Sequence, residues 1–336
     1  MILSVSRRTD IPACFSDWFF RRIRDGQACV RNPVNPRQIS RISLSPEVID
    51  CIVFWSKNPR PMLNRLKELE PYPYYFQFTL NTYGKDMEPF LPSLKERIQT
   101  FHRLASSIGK ERVLWRYDPI CITETYSVSW HIKAFSALSR ELSSSTETCT
   151  ISFLDLYPGI MKTMERAGIR TPDENQRRIL ARELASAARS FGLSICACAE
   201  DMDLSAFGIE PARCIDDRLI SRLFGTIEAK KDRNQRPACG CVSSIDLGAY
   251  HTCPNGCLYC YACRSKNRRE GLPPACDPGS PLLCSRITEA DRITDRAMKR
   301  LRSAQDDRPL LKYNESDSPQ TGPAAGASLP DSQGQK

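Results

Sequence analysis

A parallel α/β sheet, wound open or curled into a partial or distorted (β/α) barrel, is the fold class that this chain's pattern predicts. Three observations predict it. Short, nearly continuous apolar segments rich in β-branched and aromatic residues recur along the chain, which is how strands covered on both faces of a parallel sheet read. Stretches with helical spacing separate them, and that alternation implies a parallel sheet. A dense cysteine segment follows the last strand, and a polar tail follows the cysteines.

The candidate strands, in order, are ILSVS (Ile2 to Ser6), CIVFW (Cys51 to Trp55), YYFQFTL (Tyr74 to Leu80), VLWRY (Val113 to Tyr117), TISFLDLY (Thr150 to Tyr157) and LSICACA (Leu193 to Ala199). Six strands fall short of a full barrel, hence the expectation of a partial or distorted one. Among the helices, Ser127 to Leu142 carries Trp130, Phe135, Leu138 and Leu142 on one face. A second helix starts at Thr171-Pro172-Asp173-Glu174, with Thr171 as cap, and runs through Ile179, Leu180, Leu184, Ala187 and Phe191.

The carboxyl ends of these strands are polar. Arg7, Arg8, Thr9 and Asp10 follow the first, and Ser56, Lys57 and Asn58 the second. Gln77, Thr79 and Asn81 alternate on one face of the third, and Arg116 and Asp118 share a face of the fourth. Asp155 lies near the end of the fifth, and Cys198 and Glu200 end the sixth. Polar residues also mark where strands become loops, but that reading does not explain charge and amide groups alternating inside apolar strands. Since a barrel builds its active site at these ends, Arg7, Arg8, Asp10, Lys57, Asn58, Gln77, Asn81, Arg116, Asp118 and Glu200 are the candidate binding residues.

The chain has 336 residues, 26% charged and 41% hydrophobic, with a formal net charge of +9 and a pI near 8.8. We read residues 1–285 as one catalytic domain with 196–284 cysteine-rich, 286–302 as a short helix, and 303–336, rich in Ser, Gln, Gly, Pro and Asp, as a disordered tail. No run approaches the ~18 apolar residues of a membrane span. The start, MILSVSRRTD, reaches arginine too early for a secretory signal. A cytoplasmic protein with reduced thiols is therefore expected, and clustered thiols there more often bind metal than pair as disulfides.

Cys14, Cys29, Cys51, Cys121 and Cys149 are scattered and read as small packing residues, whereas the other eleven cysteines lie between Cys196 and Cys284. Within CGCVSSIDLGAYHTCPNGCLYCYAC, Cys253, Cys257 and Cys260 form C-x3-C-x2-C, with Pro254, Asn255 and Gly256 suited to a turn. Three thiolates on one tight loop (253–260) can hold three irons of a [4Fe–4S] cluster and leave the fourth iron open. A closed ferredoxin-type cluster and a zinc site with Cys263 as fourth ligand are the alternatives. Zinc ligands usually come as two separated pairs, so the open cluster is preferred and Cys263 is read as a non-ligand.

C-x3-C-x2-C with Tyr259 before its last cysteine resembles the signature of the radical S-adenosylmethionine (SAM) superfamily. That resemblance implies an α/β barrel and a [4Fe–4S] cluster whose open iron chelates SAM. It further implies reductive cleavage to a 5′-deoxyadenosyl radical, a flavodoxin- or ferredoxin-like reductant protein, and Tyr259 packed against the cluster. Arginine or lysine would suit the SAM carboxylate, and carboxylates its ribose or amine. The superfamily's loop usually follows the first strand, whereas here it follows all six. SRRTDIPA, FWSKNP and CGCVSSIDLGAYHTCPNGCLYCYA in that order resemble a bacterial family known as domain of unknown function 1848, over roughly Met1 to Leu283.

Cys198, Cys214, Cys239 and Cys241 are candidates for a second site, holding a second iron–sulfur cluster or zinc; packing is the plain alternative. Cys276 and Cys284 read as loop thiols, His102 and His131 as surface or packing residues, and His251 as a loop residue. No phosphate-loop, H-E-x-x-H or G-x-S-x-G motif is present. Basic runs at Arg21 to Arg24, Lys230 to Arg233 and Arg264 to Arg269 fit solvated faces, or a phosphate backbone if the protein were instead a metal-stapled nucleic-acid-binding module. An electron carrier is the third possibility.

Overall fold

The computed structural model describes residues 1–263 and 276–302; the basic run Arg264 to Arg269 and the expected tail 303–336 lie outside the described residues. All six expected strands form: β1 (Ile2–Val5), β4 (Cys51–Ser56), β5 (Tyr74–Thr79), β6 (Val113–Ile120), β7 (Thr148–Phe153) and β8 (Ser194–Ala197). Two-residue strands extend the sheet at its ends, β9 (Glu210–Pro211) beside β8 and β10 (Ile245–Asp246) beside β1. The result is an eight-stranded sheet in the order β10-β1-β4-β5-β6-β7-β8-β9, parallel at every neighbouring pair.

Alternation along each strand creates two faces. Leu3, Val5, Phe54, Phe76, Trp115 and Ile151 point to one core, where helices α1 (Ile11–Cys14), α2 (Ser16–Arg24), α3 (Leu94–Ile108), α4 (Val128–Leu142) and α6 (Glu174–Ser190) supply Ile11, Phe19, Phe101, Phe135 and Leu184. The register sets Phe54 beside Phe76, and their rings stack at 4.7 Å. Each such side chain, fully buried, contributes about 1.5–3 kcal/mol. The other face begins apolar, with Ile2, Val53 and Tyr75 under α7 (Asp217–Phe224), and turns polar toward the carboxyl ends, where Gln77, Arg116 and Cys198 stand. The remaining helix, α5 (Met161–Arg166), follows β7.

Helix ends follow local chemistry. Ser127 caps α4 by accepting from the Trp130 amide, as expected. For α6 the cap is Asp173 rather than Thr171: Asp173 accepts from the Gln176 amide and Gln176 reaches back, because a carboxylate two residues on completes the reciprocal box that threonine would have begun. His131 in α4 is a packing residue. It is buried between the Tyr117 hydroxyl (2.8 Å) and the Cys121 carbonyl (2.7 Å), and burial lowers its pKa to about 4.

A second, three-stranded sheet was not expected. β2 (Gln27–Arg31) pairs antiparallel with β3 (Gln38–Ser43), and β11 (Arg292–Asp295) adds parallel to the free edge of β3. The expected helix over 286–302 is thereby replaced by a strand, since the open ladder of β3 offers Arg292 to Asp295 backbone partners that a short exposed helix would lack. Cys276 and Cys284, expected as loop thiols, are joined as a disulfide. The segment between them docks on α2 and β2: the Trp18 indole donates to the Ser280 carbonyl (2.9 Å) and the Cys29 amide to that of Pro281 (2.9 Å). No helix among the described residues is long and apolar enough to cross a membrane.

Tyr75 ties the second face of the sheet to the chain entering α7. Its buried hydroxyl donates to the Cys214 carbonyl (2.8 Å) and accepts from the Asp216 amide (3.2 Å). Tyr75→Phe is expected to cost about 1–3 kcal/mol, because the Asp216 amide loses its partner while volume is preserved. Urea denaturation with an unchanged m-value and a lowered midpoint is the expected observation.

Candidate functional site

The chain leaving β1 is fixed by one carboxylate. Asp246, in β10, accepts from Ser4 Oγ (2.8 Å), Ser6 Oγ (2.7 Å), the Arg7 amide (2.8 Å) and the Gly248 amide (2.9 Å). The register of β1 on β10, with Ser4 opposite Asp246, produces this set. Gly248 lies so close that a Cβ there would fall 1.9 Å from Ser6 Oγ.

Asp10 is the second such node. Its buried carboxylate caps α1 at the Ala13 amide (3.1 Å), accepts from Ser56 Oγ (2.7 Å) and the Lys57 amide (2.8 Å) after β4, and accepts from Asn255 Nδ2 (3.2 Å). Asn255 lies between Cys253 and Cys257, on a turn completed by Gly256 in the left-handed region (φ 70°), as the Pro254-Asn255-Gly256 sequence suggested. Burial pushes the Asp10 carboxyl above its ordinary range, only partly offset by these donors. Asp10 is thus a positioning residue, with its acceptor capacity already used.

A third node holds Tyr259. Lys57 Nζ donates to Glu88 Oε1 (2.7 Å) and to the Tyr259 hydroxyl (2.9 Å), the Tyr259 hydroxyl also donates to Glu88, and Arg97 pairs with Glu88 at 3.3 Å. Burial alone would raise the Glu88 carboxyl, but Lys57 and Arg97 outweigh it and hold it below the carboxylate range. Nothing in the sequence around Glu88 signals this role, and the sequence reading missed it. The Leu258 amide donates to the Met87 carbonyl (3.0 Å), so the stretch holding Glu88 cradles the cysteine loop.

These nodes surround a cavity of about 500 Å³ at the carboxyl ends of β1 and β4 to β8. Cys253, Cys257 and Cys260 line it, and so do Cys198, Cys214, Cys239 and Cys241. Of the ten candidate binding residues, Arg7, Arg8, Asp10, Lys57, Arg116 and Asp118 reach it and the other four do not. Gln77 donates instead to the Cys214 carbonyl (2.8 Å), Asn81 brackets the Asp118 backbone (2.9 and 3.0 Å), the Asn58 amide donates to Ser56 Oγ (3.0 Å), and Glu200 accepts from the Phe153 amide (2.8 Å). Burial raises the Glu200 pKa to about 7.

Most cations on the cavity wall are internally paired: Arg7 with Asp246 (3.8 Å), Lys57 with Glu88, Arg116 with Asp118, and Arg236 with Asp155. Among the described residues Arg8 has no carboxylate partner; it lies over the Tyr250 ring (5.1 Å). Cys263 donates its thiol to the Cys253 carbonyl (3.4 Å) and is not among the residues lining the cavity. Cys14, expected only to pack, stands against Cys253 and within 3.8 Å of Asn255 Oδ1. As placed, no three His, Cys, Asp or Glu groups among the described residues could hold a single metal ion. The three thiols of this one loop open together onto a cavity bordered by cations, and three thiolates are the donor set that could hold three irons of a cluster.

Glu88→Gln is expected to destabilise the fold by about 3–5 kcal/mol at neutral pH, because Lys57 and Arg97 lose their buried countercharge. Since the folded-state value of Glu88 is depressed, its stabilisation is present above the unfolded value of 4.5 and lost as pH falls through the folded one. The gap between wild type and variant should accordingly shrink in acid, as urea titrations across pH would measure. Gly248→Ala is expected to cost about 1–3 kcal/mol through the clash with Ser6, and Ser6→Gly in the same chain should recover part of that loss in thermal denaturation.

Comparison with curated proteins and with solved structures gives no match. A family model does match, over residues 2–262, which ends short of the Leu283 expected from the resemblance but takes in every strand from β1 to β10 and the whole cysteine loop. The chain therefore belongs to the family described as Domain of unknown function (DUF1848).

Proposed function

We propose that this protein is a cytoplasmic iron–sulfur enzyme of the radical SAM type, with Cys253, Cys257 and Cys260 as the cluster ligands and the sheet curled as a partial barrel around the cavity. The observation that carries the reading is the seat of the cysteine loop. It follows β10, which pairs in parallel with β1, and it packs against the segments leaving β1 and β4 through Asp10–Asn255 and Lys57–Tyr259. The loop is late in the chain but stands at the carboxyl end of a terminal strand of the sheet, the setting that the superfamily's loop has after its first strand. One cavity reached from six successive strand ends accords with a curled sheet.

When bound, the cluster would supply an electron to the sulfonium of SAM. The chain's own residues do the rest. Asn255 and Asp10 hold the C-x3-C turn, and Lys57 and Glu88 hold Tyr259 beside the third cysteine. Arg8, which has no carboxylate partner among the described residues and lies over the Tyr250 ring, is suited to the SAM carboxylate.

Anaerobically purified protein is expected to carry about four irons and four sulfides in this loop. On reduction it should release 5′-deoxyadenosine from SAM, and Cys257→Ala should abolish that release while far-ultraviolet circular dichroism stays unchanged. Cys14→Ser should leave both iron and SAM cleavage in place, as an open cluster requires. Loss of cleavage in Cys14→Ser with retained turnover in Cys257→Ala would overturn the ligand assignment, and zinc without iron would remove the radical reading.

A further inference from the structure

The second set of cysteines sits on the wall of the same cavity, brought there by three separate segments. Cys198 follows β8, Cys214 precedes α7, and Cys239 and Cys241 precede β10. Their sulfurs form one continuous chain of contacts. Cys198 Sγ lies 3.3 Å from Cys214 Sγ, Cys214 touches Cys241, and Cys241 touches Cys239. Two N–H groups donate to these sulfurs: the Arg116 guanidinium to Cys214 (2.8 Å) and the Ile215 amide to Cys241 (3.4 Å). A cysteine serving only as a small hydrophobe does not need a charged donor, and the guanidinium on Cys214 is one. N–H donors on sulfur are what thiolate ligands receive from the shell around them.

We propose that Cys198, Cys214, Cys239 and Cys241 form a second site, a four-thiolate seat for a soft metal centre that borders the cavity. Four sulfur donors select zinc or an iron–sulfur core over hard cations. Arg116, buried and held by Asp118 on its other edge, keeps one N–H aimed at the Cys214 sulfur. As they stand, no three of these groups among the described residues could hold an ion unmoved. Binding a metal here therefore entails movement of the thiol side chains, which is part of the proposal. The site does not depend on the radical reading.

The test is a metal count on the full chain purified anaerobically. Zinc, iron and sulfide are measured in wild type, Cys257→Ala, Cys214→Ser and Cys239→Ser, with free thiols counted by alkylation and mass spectrometry. Cys257→Ala is expected to keep about one zinc or about four irons per chain. Cys214→Ser and Cys239→Ser should each lose that complement and keep whatever the 253–260 loop holds. Cys239 is at the edge of the set, so its variant keeps the test valid if Cys214→Ser misfolds. Zinc bound through these four, with no iron in the chain, would support this site while ending the radical reading. A metal-free Cys257→Ala protein would overturn the proposal. So would unchanged metal content in both serine variants, or a Cys198–Cys214 disulfide in the anaerobic protein.

Discussion

A carboxylate taken out of water must be met by donors on nearly all its lone pairs, and it holds in place whatever supplies them. Asp10 draws donors from its own helix, from the turn after β4 and from the middle of the cysteine loop, so none of the three can shift without stranding a buried charge. Asp246 does the same for the chain leaving β1, and Glu88 for Lys57, Arg97 and Tyr259. The sheet sets the distances between strands, but Asp10 and Glu88 grip the cysteine loop itself through Asn255 and Tyr259, and Asp246 fixes the chain leaving β1 beside it. The cavity keeps its shape because its rim is electrostatically crosslinked rather than merely packed.

Much of this was legible in the chain. The six long strands announced themselves as apolar runs because both faces of a parallel sheet are covered, and Gln77, Thr79 and Asn81 announced a polar face because alternation survives burial. β9 and β10 are too short to carry a period, and β2 and β3 are too polar, their pairing being decided by each other and by β11. In the site, the thiols were visible by spacing alone. Charges were harder to read: residue type told that Lys57, Arg116 and Asp10 gather at the strand ends, but not that Glu88, Asp118 and Asn255 already occupy them. Glu88 in particular lies in a loop with no motif, and only the folded chain sets it under Lys57.

The lining has a division of labour that follows from charge. Paired cations contribute shape, since their fields are largely cancelled by their acids, whereas Arg8 over Tyr250 keeps an uncancelled one. Thiols reach the cavity on the loop after β10 and again at the ends of β8 and of the segment before α7, so a molecule entering it would meet sulfur from both groups. Gly248 and Gly256 serve this arrangement differently, one by leaving room for Ser6 and the other by taking a backbone shape costly to other residues.

The partners that complete the rim are far apart in sequence: Ser4 and Asp246 are separated by 242 positions, and Lys57 and Tyr259 by 202. During synthesis the chain emerges from its first residue onward, so β1 and β4 to β8 can find one another long before Asp246 and Asn255 exist. Until then Ser4, Ser6 and the Arg7 amide lack their Asp246 acceptor, and Asp10 lacks its Asn255 donor. The floor of the cavity is therefore laid early and the thiol-bearing rim is fastened last, so any centre built on that rim belongs to the end of biogenesis, after the ribosome has finished with the sheet.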